Sequence, residues 1–134
     1  STPEKQILPP DFSLGNANYK QRMQDLMGIV HPTENFEKLF AAQSAWDDTS
    51  AWTLIRLLKN DPQSVFVVLF GDFHIAYGGG LPDRLQQRGY NLAVTFSQVC
   101  IDGLDAASIE AEFKPDPVYG KRADYVVAQI CTAP

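Results

Sequence analysis

The sequence predicts an α/β fold in which a mostly parallel sheet is flanked by helices. A long helical pattern is followed by a continuous apolar, β-branched run at Ser64–Gly71, which is typical of a strand covered on both faces. A short helical segment at Pro82 then precedes a second strand at Asn91–Cys100, and a third is predicted at Ala123–Ile130. Strands that alternate with helices favour parallel pairing.

The length of 134 residues suits one domain with a hydrophobic core. Three strands are few for such a sheet. We therefore expect the chain either to be part of a larger domain or to complete its sheet with another copy.

Composition narrows the possible partners. The chain is 45% hydrophobic and 20% charged, as in ordinary globular proteins, and its formal net charge is −5. This charge argues against nucleic acid as the main partner. No apolar stretch approaches the roughly 20 residues that span a bilayer. The first residues lack a signal-peptide pattern, which leaves the compartment open because a processed signal leaves no trace.

The first helix is predicted to follow a polar, extended lead-in and to end at His31-Pro32. Asn16 or Asn18 is placed to cap its start. Its apolar side chains recur at helical spacing: Tyr19, Met23, Leu26, Met27 and Val30. Two methionines one turn apart can ligate haem iron, but such a stripe is usually packing. If exposed, the tyrosine and both methionines would form either a dimer face or a cover over haem.

A long helix is predicted from an N-cap at Thr33 to about Lys59. Seven positions fall on one narrow arc of it: Phe36, Phe40, Gln43, Asp47, Ala51, Leu54 and Leu58. A carboxylate turned towards an apolar interior needs a partner. Asp47 is expected either to bind loop amides or an arginine, or to line a pocket with Gln43 and orient a ligand histidine, for which His74 is the candidate.

The segment from Gly71 to Gly80 directly follows the first strand, at the edge where open α/β sheets bind ligands. Its His74 can serve as a metal ligand, a haem ligand or a general base, and Tyr77 carries a phenol of the type that binds ferric haem. Three consecutive glycines end the segment and allow a flat or anionic ligand to approach the backbone.

Two arginines, Arg84 and Arg88, lie one turn apart on the short helix that begins beside these glycines. A helix start with nearby cationic charge suits haem propionates or a substrate carboxylate. The alternative is a tight glycine turn with solvated arginines.

The two cysteines, Cys100 and Cys131, each close a strand-like run. The favoured interpretation is a pair of small buried hydrophobic residues. The alternative is a disulfide formed in an oxidising compartment. Between them, a short helix is predicted over Ala106–Phe113.

Two motifs follow one another along the chain, Ala42-Gln43-x-x-Trp46-Asp47-x-x-x-Ala51 and Gly71-x-x-His74-x-x-Tyr77-x-Gly79-Gly80-Leu81-Pro82-x-Arg84-Leu85. Their order and spacing resemble the ChaN-like haem-binding uptake family, which is related to the Tiki and erythromycin-esterase-like proteins and is marked by a pair of Gly-x-x-His motifs. The resemblance runs from about Pro9 to Ala123-Asp124-Tyr125. Ser50 stands where the family usually has methionine. No first Gly-x-x-His motif precedes Tyr19, so the chain resembles the C-terminal part of the family pattern.

This resemblance implies an α/β/α sandwich, complete or partial, with a small helical cap. Residues 1–134 would then be a single domain or the C-terminal portion of a larger ChaN-like domain. It also implies an exported bacterial protein, periplasmic or associated with the outer membrane, and often a lipoprotein. By this resemblance, His74 matches the histidine of the family's second Gly-x-x-His motif, and Tyr77 matches the tyrosine beyond it. Gln43 and Asp47 match the helix positions that face the same site.

The leading hypothesis is a haem-binding protein of bacterial iron uptake, with His74 and Tyr77 as the candidate iron ligands. Together with the glycine and arginine corner, the predicted cofactor-binding residues are Tyr77, His74, Gln43, Asp47, Gly79, Gly80 and Arg84. The alternative is a metal-dependent hydrolase in which His74 binds a divalent ion and Asp47 assists. A third possibility is a non-catalytic subunit that forms a homodimer or pairs with another chain. Membrane association is expected only through a lipid anchor.

Overall fold

The computed structural model describes residues 8–27 and 33–132, with only the backbone described at Thr33 and Glu34. Its elements, in chain order, are α1 (Ala17–Met27), α2 (Thr33–Asn60), 3₁₀ turns at Asp72–His74 and Ala76–Gly78, α3 (Leu81–Gln87), β1 (Phe96–Cys100), α4 (Ala106–Glu112) and β2 (Tyr125–Gln129). This mixture of helices with a parallel strand pair confirms the predicted α/β class as a small, partial α/β fold. Among the described helices, none combines the length and apolar character needed to cross a bilayer.

Helix α1 starts at the cap that the sequence predicted. The side chain of Asn16 accepts a hydrogen bond of 2.8 Å from the backbone N–H of Tyr19, which satisfies a donor left unpaired at the helix start. The predicted end at His31-Pro32 lies outside the described residues.

Helices α1 and α2 pack through an apolar cluster made of Tyr19, Met23, Phe36 and Phe40. Tyr19 is 2% exposed and Met23 is fully buried, as the packing interpretation of the methionine stripe predicts, so neither forms an exposed dimer face or haem cover. Burial of each such side chain stabilises the fold by about 1.5–3 kcal/mol, which explains why the stripe turns inward. The methionines therefore serve packing, with Met27 at the margin of the cluster.

A second cluster joins α2 to α3 through Ala51, Leu81 and Leu85. Pro82 occupies the first turn of α3, where its missing N–H costs nothing, and Gly89 follows the helix with a φ of 83°. Both residues stand where the sequence predicted the start and the stop of this helix.

Strands β1 and β2 form a two-stranded parallel sheet in which Phe96 lies opposite Tyr125 and Cys100 opposite Gln129. Both strands are shorter than predicted. Thr95 marks the start of pairing, since its backbone N–H and hydroxyl both donate to the Asp124 carboxylate.

The predicted strand at Ser64–Gly71 is wrong in this structure. The segment is extended, but among the described residues it pairs with no other strand. Val65, Val67 and Leu69 are 90%, 86% and 92% exposed. An extended segment becomes a strand only when a neighbour accepts its backbone hydrogen bonds, and β1 is paired with β2. A groove of about 800 Å³ separates this segment from the residues around β1.

The cysteines form a disulfide, with Cα atoms 5.5 Å apart and both residues exposed. The favoured interpretation of two buried thiols is therefore wrong. The parallel register explains the pairing, because Cys100 lies opposite Gln129 and only one residue, Ile130, separates Gln129 from Cys131. The bridge ties the C-terminal ends of the two strands together.

Candidate functional site

The segment from Gly71 to Gly80 folds into two consecutive 3₁₀ turns joined at Ile75. Tyr77 lies in the second turn with φ 61° and ψ 25°, a left-handed conformation that is rare for a bulky residue. Its backbone N–H donates to the carbonyl of Arg122 at 2.6 Å, which holds it there. Backbone strain of this kind is concentrated at functional sites.

His74 is held by a carboxylate from helix α2. Its Nδ1 lies 2.7 Å from Oδ1 of Asp47, whose side chain is fully buried, while the imidazole is 20% exposed. The other carboxylate oxygen, Oδ2, accepts a hydrogen bond of 2.8 Å from the hydroxyl of Tyr19. The predicted contact between Asp47 and His74 is therefore present.

Both donors are needed because an unpartnered buried carboxylate carries a large desolvation cost. A carboxylate accepts, so Nδ1 of His74 acts as the donor, and in the neutral imidazole Nε2 is then the acceptor. Burial, followed by the nearby Asp47 charge, raises the pKa of the Tyr19 phenol above its usual value, so Tyr19 keeps its proton. Tyr19, Asp47 and His74 form one hydrogen-bonded chain, which we call the relay.

Two of the predicted binding glycines have a packing role in this structure. A Cβ at Gly79 would lie 3.0 Å from the Tyr19 ring, and one at Gly80 would lie 2.4 Å from the carbonyl oxygen of His74. Gly80 also has a φ of 54°. Both glycines are buried, and the protein itself fills the space that a side chain would need. Their predicted contact with a cofactor stays a prediction.

Tyr77 lies between cationic and aromatic neighbours. The guanidinium carbons of Arg22 and Arg122 are 4.7 Å and 5.8 Å from the centre of its ring, and the Tyr119 ring centre is 5.6 Å away. Such contacts place positive charge against the ring face. The space that Tyr77 shares with Tyr19 and Gly79 is only about 10 Å³, so it encloses no ligand.

Arg22 connects this group to the turn that carries His74. It is 8% exposed and donates to the carbonyl oxygens of Phe73 at 3.0 Å and Ala76 at 3.4 Å. Burial lowers the pKa of its guanidinium, and the nearby Asp72 opposes that shift. Asp72 pairs with Arg22 at 3.5 Å and with Arg122 at 2.9 Å.

Arg84 is 3% exposed, and its guanidinium donates to Asp83 and to the carbonyl oxygens of Ser13 and Leu14. Arg88 pairs with the Asp48 carboxylate through two contacts of 2.6 Å. The structure thus uses both arginines to hold neighbouring segments, so the alternative of solvated arginines is wrong. Anion binding by Arg84 stays a prediction.

Gln43 lies one turn before Asp47 and is half-buried. Within residues 8–27 and 33–132, its side chain makes no hydrogen bond to the relay, so its place at the site also stays a prediction.

The sequence reasoning missed the Tyr19 hydroxyl, Arg22, Asp72 and Arg122. The sequence carried one indication that Arg22 has a polar partner. Arg22 lies between Tyr19 and Met23 on the buried face of α1, and an arginine within an apolar stripe needs a polar partner when buried. Nothing in the spacing indicated that Arg122, far along the chain, would reach Tyr77.

In the part of the chain that the structure describes, no cluster of three potential metal-ligating side chains includes His74. One such cluster joins Asp102 to Cys100 and Cys131, whose sulfurs are bonded to each other. The alternative of a divalent-metal hydrolase gains no support from this geometry.

The comparisons with known proteins agree with the motif resemblance. No curated protein and no solved structure matches this chain. A family model described as haem-binding uptake, Tiki superfamily, ChaN matches residues 1–85, which is more than half of the chain and includes the relay and Tyr77. The chain therefore belongs to the ChaN haem-binding uptake family of the Tiki superfamily.

Proposed function

We propose that this protein binds haem as part of bacterial haem uptake, with His74 and Tyr77 as the candidate iron ligands. The observation that carries the proposal is the 2.7 Å contact between Nδ1 of His74 and the fully buried Asp47. A ligating histidine typically donates its second ring nitrogen to a carboxylate, which fixes the ring and raises its basicity. His74 has this partner in place.

Tyr77 supports the same proposal through its electrostatic surroundings. A tyrosine that ligates ferric iron carries negative charge on its oxygen. Arg22 and Arg122 place two guanidinium groups against the Tyr77 ring, so positive charge lies beside the candidate ligand. Its left-handed backbone fixes the direction in which the side chain leaves the turn.

The donor set fits haem, since imidazole and phenolate are both established axial ligands. Haem would supply the iron centre and a large flat apolar surface. The small space beside Tyr77 cannot enclose a macrocycle, so the described residues would hold haem at the surface rather than within a closed pocket. A surface-bound cofactor is consistent with a second copy or partner chain that covers its other face, which we retain as part of the proposal.

Export is proposed on a separate observation. The disulfide between Cys100 and Cys131 is exposed, and such bonds persist in oxidising compartments such as the bacterial periplasm.

The test is a haem titration followed in the visible spectrum for the wild type, His74→Ala and Tyr77→Phe. Tyr125→Phe, which changes an exposed tyrosine on β2, is the matched control. We expect saturable binding by the wild type and the control, with an altered spectrum or weaker binding in at least one ligand variant. Absence of a spectral change with wild type would overturn haem binding. Identical spectra and affinity in all four proteins would overturn the ligand assignment alone.

A further inference from the structure

We propose that Tyr19 is a positioning residue for His74: its hydroxyl fixes the Asp47 carboxylate, and that carboxylate holds the imidazole with Nδ1 protonated and Nε2 free to bind a ligand. The inference deepens the proposed function, because the nitrogen it frees is the candidate iron ligand. It also makes a claim about the protein without haem, so it can be tested separately.

The hydrogen-bond geometry around Asp47 supports this role. Asp47 has two oxygens, and each has a different partner: Oδ2 accepts from the Tyr19 hydroxyl at 2.8 Å and Oδ1 contacts His74 Nδ1 at 2.7 Å. With Oδ2 fixed by Tyr19, rotation of the carboxylate about its own axis would break a buried hydrogen bond. Such a break would leave buried polar atoms without a partner, which is unfavourable. The direction of Oδ1, and so the direction of the imidazole, is set by Tyr19.

The ring of Tyr19 is itself held in place. A Cβ at Gly15 would lie 2.5 Å from this ring and one at Gly79 would lie 3.0 Å from it, so the chain passes against the ring where only glycine fits without a shift. The rings of Phe73 and Phe40 lie 5.0 Å and 6.2 Å from it. A phenol confined in this way presents its hydroxyl in one direction.

The proton of the hydrogen bond between Tyr19 and Asp47 stays on the Tyr19 hydroxyl. The buried position and the Asp47 charge favour the neutral phenol, and the neutral phenol is the form that donates. In the hydrogen bond between Tyr19 and Asp47, the phenol is therefore the donor and Oδ2 the acceptor.

The relay also connects elements that are distant in sequence. Tyr19 lies on α1, Asp47 on α2 and His74 on the first 3₁₀ turn, so one chain of hydrogen bonds ties the orientation of the candidate ligand to the position of α1. Displacement of α1 is expected to loosen His74 without touching it.

The experiment measures the tautomer of His74 by long-range ¹H–¹⁵N correlation in protein without haem. The chain has two histidines, His31 and His74. A His74→Ala sample keeps only the signals of His31, so the signals that it lacks belong to His74. We expect the Nδ1–H form in the wild type and in the control Tyr125→Phe, and a mixture of both tautomers in Tyr19→Phe. An unchanged tautomer in Tyr19→Phe would overturn the proposal. If that variant does not fold, Gly79→Ala, whose new Cβ displaces the Tyr19 ring, is expected to produce the same mixture, and an unchanged tautomer there would overturn the proposal equally.

A double-mutant cycle on haem affinity separates positioning from packing. Loss of a residue that orients a metal ligand typically weakens binding about 10–100-fold, and we expect about 10-fold for Tyr19→Phe. In an Asp47→Asn background the same change should have less than about a twofold effect, because the carboxylate through which Tyr19 acts is gone. An equal loss in both backgrounds would show that Tyr19 acts through packing and would overturn the inference. If wild type binds no haem, the proposed function fails, and the tautomer measurement alone decides the role of Tyr19.

Discussion

Removal of the disulfide by the double substitution Cys100→Ser and Cys131→Ser is expected to lower the free energy of unfolding substantially. The bridge closes a loop with a sequence separation of 31 residues, which contains α4 and β2. The chain-entropy relation for a cross-link of this length gives about 3.7 kcal/mol at 25 °C, through loss of freedom in the unfolded chain. Small domains unfold with only about 5–15 kcal/mol in total, so the predicted loss is a large share.

The assay is urea denaturation followed by far-ultraviolet circular dichroism. With a urea dependence of about 1–3 kcal/mol per molar, the midpoint should fall by more than about 1 M. Wild type with a dithiol reductant should behave as the double variant does, and the reductant should leave the double variant unchanged. A difference below about 1 kcal/mol would refute the entropic reasoning, since it would mean that the reduced, unfolded chain already keeps the ends of the loop together.

Three further outcomes are expected. The fold raises the pKa of the Tyr19 phenol above its ordinary value of 10, so the free energy of unfolding should fall above pH 10 by up to about 1.4 kcal/mol per pH unit. A pH series should show a shallower fall for Tyr19→Phe. The variant Gly80→Ala combines an unfavourable φ of 54° with a Cβ 2.4 Å from the His74 carbonyl oxygen, so thermal unfolding should show a loss of stability of more than about 1 kcal/mol. Gly103→Ala, where φ is 71° and the space is open, should lose less stability. Hydrogen bonds from Thr132 and Cys131 lower the pKa of the Asp102 carboxyl from its ordinary value of 3.8. Protection of the Thr132 and Cys131 amides from hydrogen exchange should therefore persist as the pH approaches 3.8 and be lost below it. The variant Asp102→Asn should lack this pH dependence.

The sequence predicted the helices better than the sheet. Helix boundaries depend on local signals, such as the Asn16 cap, Pro82 and Gly89, and these act within one turn. The strand at Ser64–Gly71 had an equally strong local pattern, but a strand also requires a partner that periodicity does not supply. Its six central residues, 65–70, satisfy every local criterion and remain unpaired among the described residues.

The candidate site divides in the same way. The contact of Asp47 with His74 was one of two predicted alternatives, because an acidic residue on a buried arc must find a partner and loop amides or an arginine could also have supplied it. The contribution of Tyr19 was not predicted, since its apolar ring alone explained its position on α1. Arg122 was also missed, because its contact with Tyr77 depends on where the chain returns after a long excursion.

Position 77 places two demands on one residue. The left-handed backbone there costs a non-glycine residue about 1–3 kcal/mol, so glycine would suit the turn better than tyrosine does. Variants of this position selected for thermal resistance alone are therefore expected to drift towards glycine or asparagine. Under the proposed ligand role of Tyr77, variants selected for capture of haem are expected to retain the phenol, and the divergence between the two populations would measure how much stability that role costs.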